Sequence, residues 1–165
     1  MKTKLLLIAL LLTFISCIQK QELTQQEKDQ IKQELTSLIN SFVKVYERGD
    51  VEAALEYYWN SPDFISVGAD ASVKDYQSFK KENEEQLKSL ISTKIITVKQ
   101  EYRIINRETV ITLWYGRFEV NMKDGGILVF DPDVVTWVLQ KINNEWKITY
   151  QADSGLPPVV QAAKK

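Results

Sequence analysis

The run Thr136–Ser154, TWVLQKINNEWKITYQADS, decides the fold. Its two halves alternate apolar and polar residues with the period of a strand, and Asn143-Asn144 between them is a two-residue hairpin turn. In the second half, Trp146, Ile148, Tyr150 and Ala152 share one face, with Lys147, Thr149, Gln151 and Asp153 on the other. An unbroken register from the turn sets Leu139 opposite Ile148 and Trp137 opposite Tyr150. The Trp146 face is therefore aromatic and aliphatic and is expected to look inward. The Lys147, Thr149, Gln151 face is then left for solvent or a second subunit.

Upstream of this hairpin the alternation continues. TKIITVKQEYRIIN, ETVITLWYGRFEVNM and GILVFDPDVVTWVLQKI read as three more strands, with NR and KDGG as turns. Before Thr93 the period is helical. Thr24 and Glu27 form a Thr-x-x-Glu capping box, and Ile31, Leu35, Leu38, Ile39, Phe42, Val45 and Tyr46 follow at helical spacing until Gly49 caps the end. This helix terminus accounts for the Arg48-Gly49-Asp50 triplet without an integrin-type role. Asp50 caps a shorter helix, VEAALEYYW, which Pro62 stops. After a short strand and turn, DFISVGAD, a third helix is expected from about Asp75, with Tyr76, Phe79, Leu87, Leu90 and Ile91 inward. Helices followed by a meander give an α+β fold, in which three helices cover one face of a curved antiparallel sheet. LPPVVQAAKK at the end reads as a loose tail, residues 156–165.

The first residues have a different character. Lys2 and Lys4 precede an uncharged run from Leu5 to Ile15, too short to cross a bilayer, then Ser16 and the chain's single cysteine, Cys17. A polar stretch follows at once. This resembles a bacterial lipoprotein signal, although Phe14 stands where Leu is usual. The resemblance implies that residues 1–16 are removed, that Cys17 carries the lipid, that residues 17–23 are a tether, and that the protein sits on the cell envelope. Losing the two lysines takes the formal charge from −1 to −3, with no basic stripe, so nucleic acid is not an expected partner. With Cys17 used as an anchor no disulfide or thiolate metal site remains. The absence of histidine excludes Ser-His-Asp and Cys-His systems and imidazole metal sites. No cofactor or metal is called for, and any catalysis would fall to carboxylates, tyrosines or lysines.

The order of elements, the Pro-Asp-Phe strand, the VGADAS turn and the closing Trp-Lys-Ile-x-Tyr-x-x-x-Ser resemble the nuclear transport factor 2-like superfamily, especially its SnoaL-like bacterial members. The resemblance runs over residues 24–155. It implies a cone-shaped roll around a central pocket, and commonly a homodimer formed through the sheet. Such folds serve as isomerases, dehydratases, cyclases, adaptors and plain binding proteins, so the fold alone does not fix an activity. Relatives commonly carry histidine on the closing strand where this chain has Tyr150 and Ala152.

Aromatic residues give the candidate ligand site: Tyr58, Trp59, Phe64, Trp114, Trp137 and Tyr150, around a small and partly apolar molecule. Trp146 reads as a core plug. Asp63, next to Tyr57, Tyr58, Trp59 and Phe64, is a candidate catalytic base, with Tyr150 or a tyrosine of EYYW as proton donor. Ketosteroid isomerase, a relative of the fold, pairs an aspartate base with a tyrosine and a protonated aspartate. Set against this, Ser61-Pro62-Asp63 is an ordinary turn composition. Asp131 and Asp133, two apart, would share a face on a regular strand, but Pro132 between them points to a bulge and solvated carboxylates rather than a metal site. Three functions remain open: an envelope-anchored binding domain, an enzyme using Asp63, and an interaction module using the outer sheet face.

Overall fold

The computed structural model describes residues 22–162; Cys17 and the signal segment lie outside the described residues. The first helix, α1 (Gln25–Glu47), begins as its sequence dictates. Thr24 Oγ1 accepts from Glu27 N–H at 3.2 Å, and Glu27 returns a carboxylate oxygen to Thr24 N–H at 2.8 Å. Its buried stripe is Ile31, Leu35, Ile39, Phe42 and Val45. Gly49, at φ +69°, takes the left-handed turn that ends it. Asp50 caps α2 (Val51–Leu55) through Ala53 N–H.

That second helix is shorter than its apolar spacing suggests, because the sheet competes for its backbone. Ile148 N–H donates to Tyr57 C=O at 2.8 Å, and Trp59 N–H donates to Ile148 C=O at 2.9 Å. Residues 57–59 are thus tied to the edge of the last long strand. Strands β1 (Ile65–Val67) and β2 (Val73–Lys74) follow, then α3 (Tyr76–Ser89), opened by Asp75, whose carboxylate accepts from Ser78 N–H.

Strand β3 (Leu90–Asn106) starts directly at the end of α3. Ile91, expected on the helix's inner face, therefore lies on a strand and is 68% exposed. The sheet is completed by β4 (Thr109–Met122), β5 (Gly126–Ile142), β6 (Glu145–Asp153) and β7 (Val159–Ala162). Asn143 and Asn144 both have positive φ, as the predicted two-residue turn requires.

The strand order is β2-β1-β6-β5-β4-β3, with β7 on β5. Neighbours are antiparallel except β1, which runs parallel to β6, so the sheet is mixed rather than wholly antiparallel. The tail also differs from expectation. β5 outruns β6 and leaves Gly126–Val129 unpaired on that edge, and β7 of the supposed loose tail covers it.

Two irregularities bend the long strands and set the site. In β6, Ile148 pairs with Leu139 but Tyr150 pairs with Val138, so Thr149 is an extra, bulged residue. Between β4 and β5 the register jumps from Gly116↔Asp133 to Phe118↔Phe130. Leu35 and Ile39, about midway along α1, close one end of the roll in a core shared with Leu139, Ile148 and Trp146. Trp146 donates its indole N–H to Glu34 at 3.0 Å and is the plug expected of it.

Gly116 marks where β4 bends under Trp114. A Cβ there would stand 2.3 Å from Ile96 C=O and 2.4 Å from the Trp114 ring, contacts no side chain tolerates. Gly116→Ala is expected to cost about 2 kcal/mol in urea unfolding, the ordinary cost of overpacking. An unchanged midpoint would contradict this packing.

Candidate functional site

The carboxyl-terminal end of α1 borders a cavity. Phe42, Val43 and Tyr46 form one wall, Phe79, Asn83 and Gln86 of α3 another, and Trp114, Phe118, Phe130, Val135 and Trp137 of the sheet a third. Its volume is about 300 Å³, the lower end of the range for small-molecule sites. Phe42 meets Trp137 edge to face at a centroid distance of 5.8 Å, and Phe118 meets Phe130 at 5.9 Å. Trp114 is held by its indole N–H on Thr97 Oγ1 at 2.8 Å. Leu156, Pro157 and Pro158, between β6 and β7, line the rim.

The polar end of the cavity comes from the bulge. Past Thr149 the alternation of β6 inverts, and Gln151 and Asp153 turn inward beside Trp137 and Val135. Gln151 Oε1 accepts from Tyr58 OH at 2.8 Å and from Trp137 Nε1 at 2.9 Å. Those two donors fix the amide, so Nε2 points at the Asp153 carboxylate, 3.3 and 3.4 Å from its oxygens. Asp133 enters the same space from β5, against Gly155, where a Cβ would lie 2.4 Å from its Oδ1.

These two carboxylates are in unfavourable surroundings. Burial pushes Asp153 up to about 6, Asp133 adds like-charge repulsion, and the Gln151 hydrogen bond opposes both. Burial likewise raises Asp133. Tyr46, whose hydroxyl lies 3.5 Å from Asn83 Oδ1, is pushed up to about 12 by burial and then by Asp153, Glu82 and Asp133. The arrangement therefore offers a carboxyl that titrates near neutrality within an aromatic cavity. It could hold a ligand head group or exchange a proton with it.

Of the residues expected around a ligand, Tyr58, Trp114 and Trp137 line this cavity. Phe64 is fully buried behind it, against Tyr58, Tyr76 and Phe79. Trp59 lines a separate, more open and more polar depression of about 670 Å³ with Glu56 and Lys147. Tyr150 is half-buried on the opposite face, pairing with Ile65 and Val138, because the bulge reversed its direction. Asp63 is exposed in its turn, with its backbone N–H on Ser61 Oγ at 3.2 Å, and does not line the cavity. A base at Asp63 with Tyr150 as donor is thus not assembled.

Asp131 and Asp133 also part company. Asp131 is exposed and pairs with Arg117 at 2.9 Å, while the register jump carries Asp133 inward. Among the described residues no cluster of three or more potential metal ligands forms. Gln151, Asp153 and Asp133 were missed as site residues because strict alternation puts the first two outside and the break read at Pro132 left the third solvated. Two polar residues alternating on the last inward strand were the available signal, but only with the bulge in place.

Asp153 binds its proton more tightly in the folded state than in the unfolded chain. Its contribution to stability is therefore fully present below pH about 4 and is lost as pH rises through about 6. Asp153→Asn is expected to stabilise the protein at pH 8, by roughly 2–3 kcal/mol, with the gain vanishing at pH 3.5. Thermal unfolding across that range measures it, and a pH-independent difference would contradict the burial of the charge.

A family model described as "SnoaL-like domain" matches residues 35–159, well over half of the chain. Curated proteins give no match. Among solved structures, a nuclear transport factor 2-like superfamily protein from Salmonella enterica serovar Typhimurium LT2 is 16% identical, covers 78% of this chain and 92% of its own, and superposes with a TM-score of 0.69. A protein of unknown function and similar fold from Shewanella oneidensis MR-1 is 17% identical over 74% and 97% of the two chains, with a TM-score of 0.58. The LinA-type3 hexachlorocyclohexane dehydrochlorinase of Novosphingobium barchaimii LL02 is 8% identical over 84% and 95%, with a TM-score of 0.69. At these identities the likeness concerns the fold. By the extent of the family match, the chain belongs to the SnoaL-like domain family, within the nuclear transport factor 2-like fold.

Proposed function

We propose that this protein is an envelope-anchored binding domain for a small, largely apolar molecule. The observation that carries the reading is the aromatic cavity with a single polar end, where Gln151 is held by Tyr58 and Trp137 and presents its amide to Asp153. Aromatic walls supply affinity without directional demand, and the convergent polar groups orient one end of the ligand. Cys17 carries the lipid that holds the domain at the membrane. Dimerisation uses the outer sheet face, where Ile96, Val98, Leu113 and Tyr115 are exposed together on β3 and β4.

A second reading has its own support. A carboxyl titrating near 6 beside an apolar cavity is suited to proton transfer, and Asp153 would serve in the role first considered for Asp63. An isomerase or dehydratase of this kind would lose turnover in Asp153→Asn while still retaining its ligand.

Native mass spectrometry of the protein extracted from its host's envelope in nonionic detergent tests the binding reading. The expected spectrum shows a small-molecule adduct that is absent from Val135→Phe, in which the added ring fills the cavity. An adduct that persists in that variant would contradict the site. In the same spectra the intact protein is expected as a dimer and Leu113→Asp as a monomer; a dimer in both would remove the outer face from the account.

A further inference from the structure

The charges around the cavity's polar end are unbalanced. Asp153 of β6 and Asp133 of β5 both line the cavity; the Asp133 carboxylate accepts from the Val134 backbone N–H and, among the described residues, is paired with no cationic side chain. Glu82 of α3 adds a third negative charge within reach of Asp153. Lys74 of β2, the cation that acts on Asp153 among the described residues, is already ion-paired with Glu82. Tyr46 of α1 faces the same group and is held neutral. No lysine or arginine lines the cavity among the described residues.

Two acidic side chains would not by themselves make a site. Here they face a cavity of about 300 Å³ whose walls carry the aromatic rings of Phe42, Tyr46, Trp114, Phe118, Phe130 and Trp137. Ring faces attract cations through their quadrupole, and a carboxylate pair repels anions while rewarding a positive charge placed between its members. Gln151 Oε1, the neutral acceptor beside the two carboxyls, already receives two donors. What remains unmatched is negative charge.

We infer that the pocket selects a ligand bearing a cationic nitrogen, an amine or quaternary ammonium, on a compact body about the size of one ring. This rests on the binding reading above and names the class of molecule for the same cavity. The nitrogen lies between Asp133 and Asp153, and the body fills the space between Phe42, Trp114 and Phe118. Occupation of that position offsets the like-charge repulsion that the empty pocket bears.

Four single-ring probes separate the possibilities: benzyltrimethylammonium, benzylamine, its isostere benzyl alcohol, and benzoate, titrated at pH 7.5 into the full chain in nonionic detergent. Calorimetry and the fluorescence of Trp114 and Trp137 report binding. The two cations are expected to bind at least tenfold more tightly than benzyl alcohol, with benzoate weakest. Asp133→Asn and Asp153→Asn should each weaken the cations at least fivefold and weaken benzyl alcohol by less; an equal loss for both would overturn the charge inference. The affinity of benzyltrimethylammonium, whose own charge does not titrate, should fall as pH drops through about 6 and Asp153 takes up its proton. Benzyl alcohol or benzoate binding as tightly as the cations would overturn the charge inference alone. Failure of all four probes to bind would overturn the pocket reading with it.

Discussion

One inserted residue governs this site. Thr149 is the extra member of β6, and its insertion turns the strand over between Ile148 and Gln151. Below it, Trp146 and Ile148 pack into a closed core; above it, Gln151 and Asp153 enter the cavity while Tyr150 goes outside. A regular strand would have put Tyr150 and Ala152 inward and closed the sheet face with carbon. The bulge is stabilised on both sides, by the Tyr57–Trp59 backbone pairing to Ile148 and by β1 pairing in parallel with Tyr150, Gln151 and Ala152. It is thereby fixed by the two segments that bring Tyr58 onto Gln151.

The same device sets the electrostatics. Gln151 satisfies two buried donors, Tyr58 OH and Trp137 N–H, each of which would otherwise be left without a partner at a cost of roughly 1–3 kcal/mol. Its own amide then spends a donor on Asp153, which softens but does not cancel the cost of burying that carboxylate beside Asp133. A folded domain that keeps two disfavoured carboxyls in an aromatic cavity gives up stability at neutral pH. The gain is a polar end whose charge responds to what is bound. Around it, Gly116 and Gly155 provide the room: one lets Trp114 lie over the bend in β4, the other lets the chain pass close to Asp133.

Much of this fold could be read from the sequence because local chemistry and global architecture agree. The Thr24–Glu27 capping box, the Gly49 stop, the Asn143-Asn144 turn and the burial of Trp146 all follow from residues within a few positions of one another. The departures are non-local. Residues 57–59 leave their helix because Ile148 competes for them, β1 joins the sheet in parallel through a crossover, and residues 159–162 form a strand because β5 outruns its neighbour. The family resemblance implied a pocket, and of the aromatic residues expected around it Tyr58, Trp114 and Trp137 line the cavity. The polar residues were misplaced: a period of two holds only while a strand is regular, and nothing local in ITYQAD marks the residue that breaks it.

The most direct test is the titration of the Asp153 carboxyl carbon by NMR, in protein selectively labelled at aspartate and assigned with Asp153→Asn. A midpoint near 6 is expected if the bulge at Thr149 carries Asp153 into the aromatic cavity next to Asp133. A midpoint near 4, the ordinary value for a solvated aspartate, would place that side chain outside and contradict the site as described.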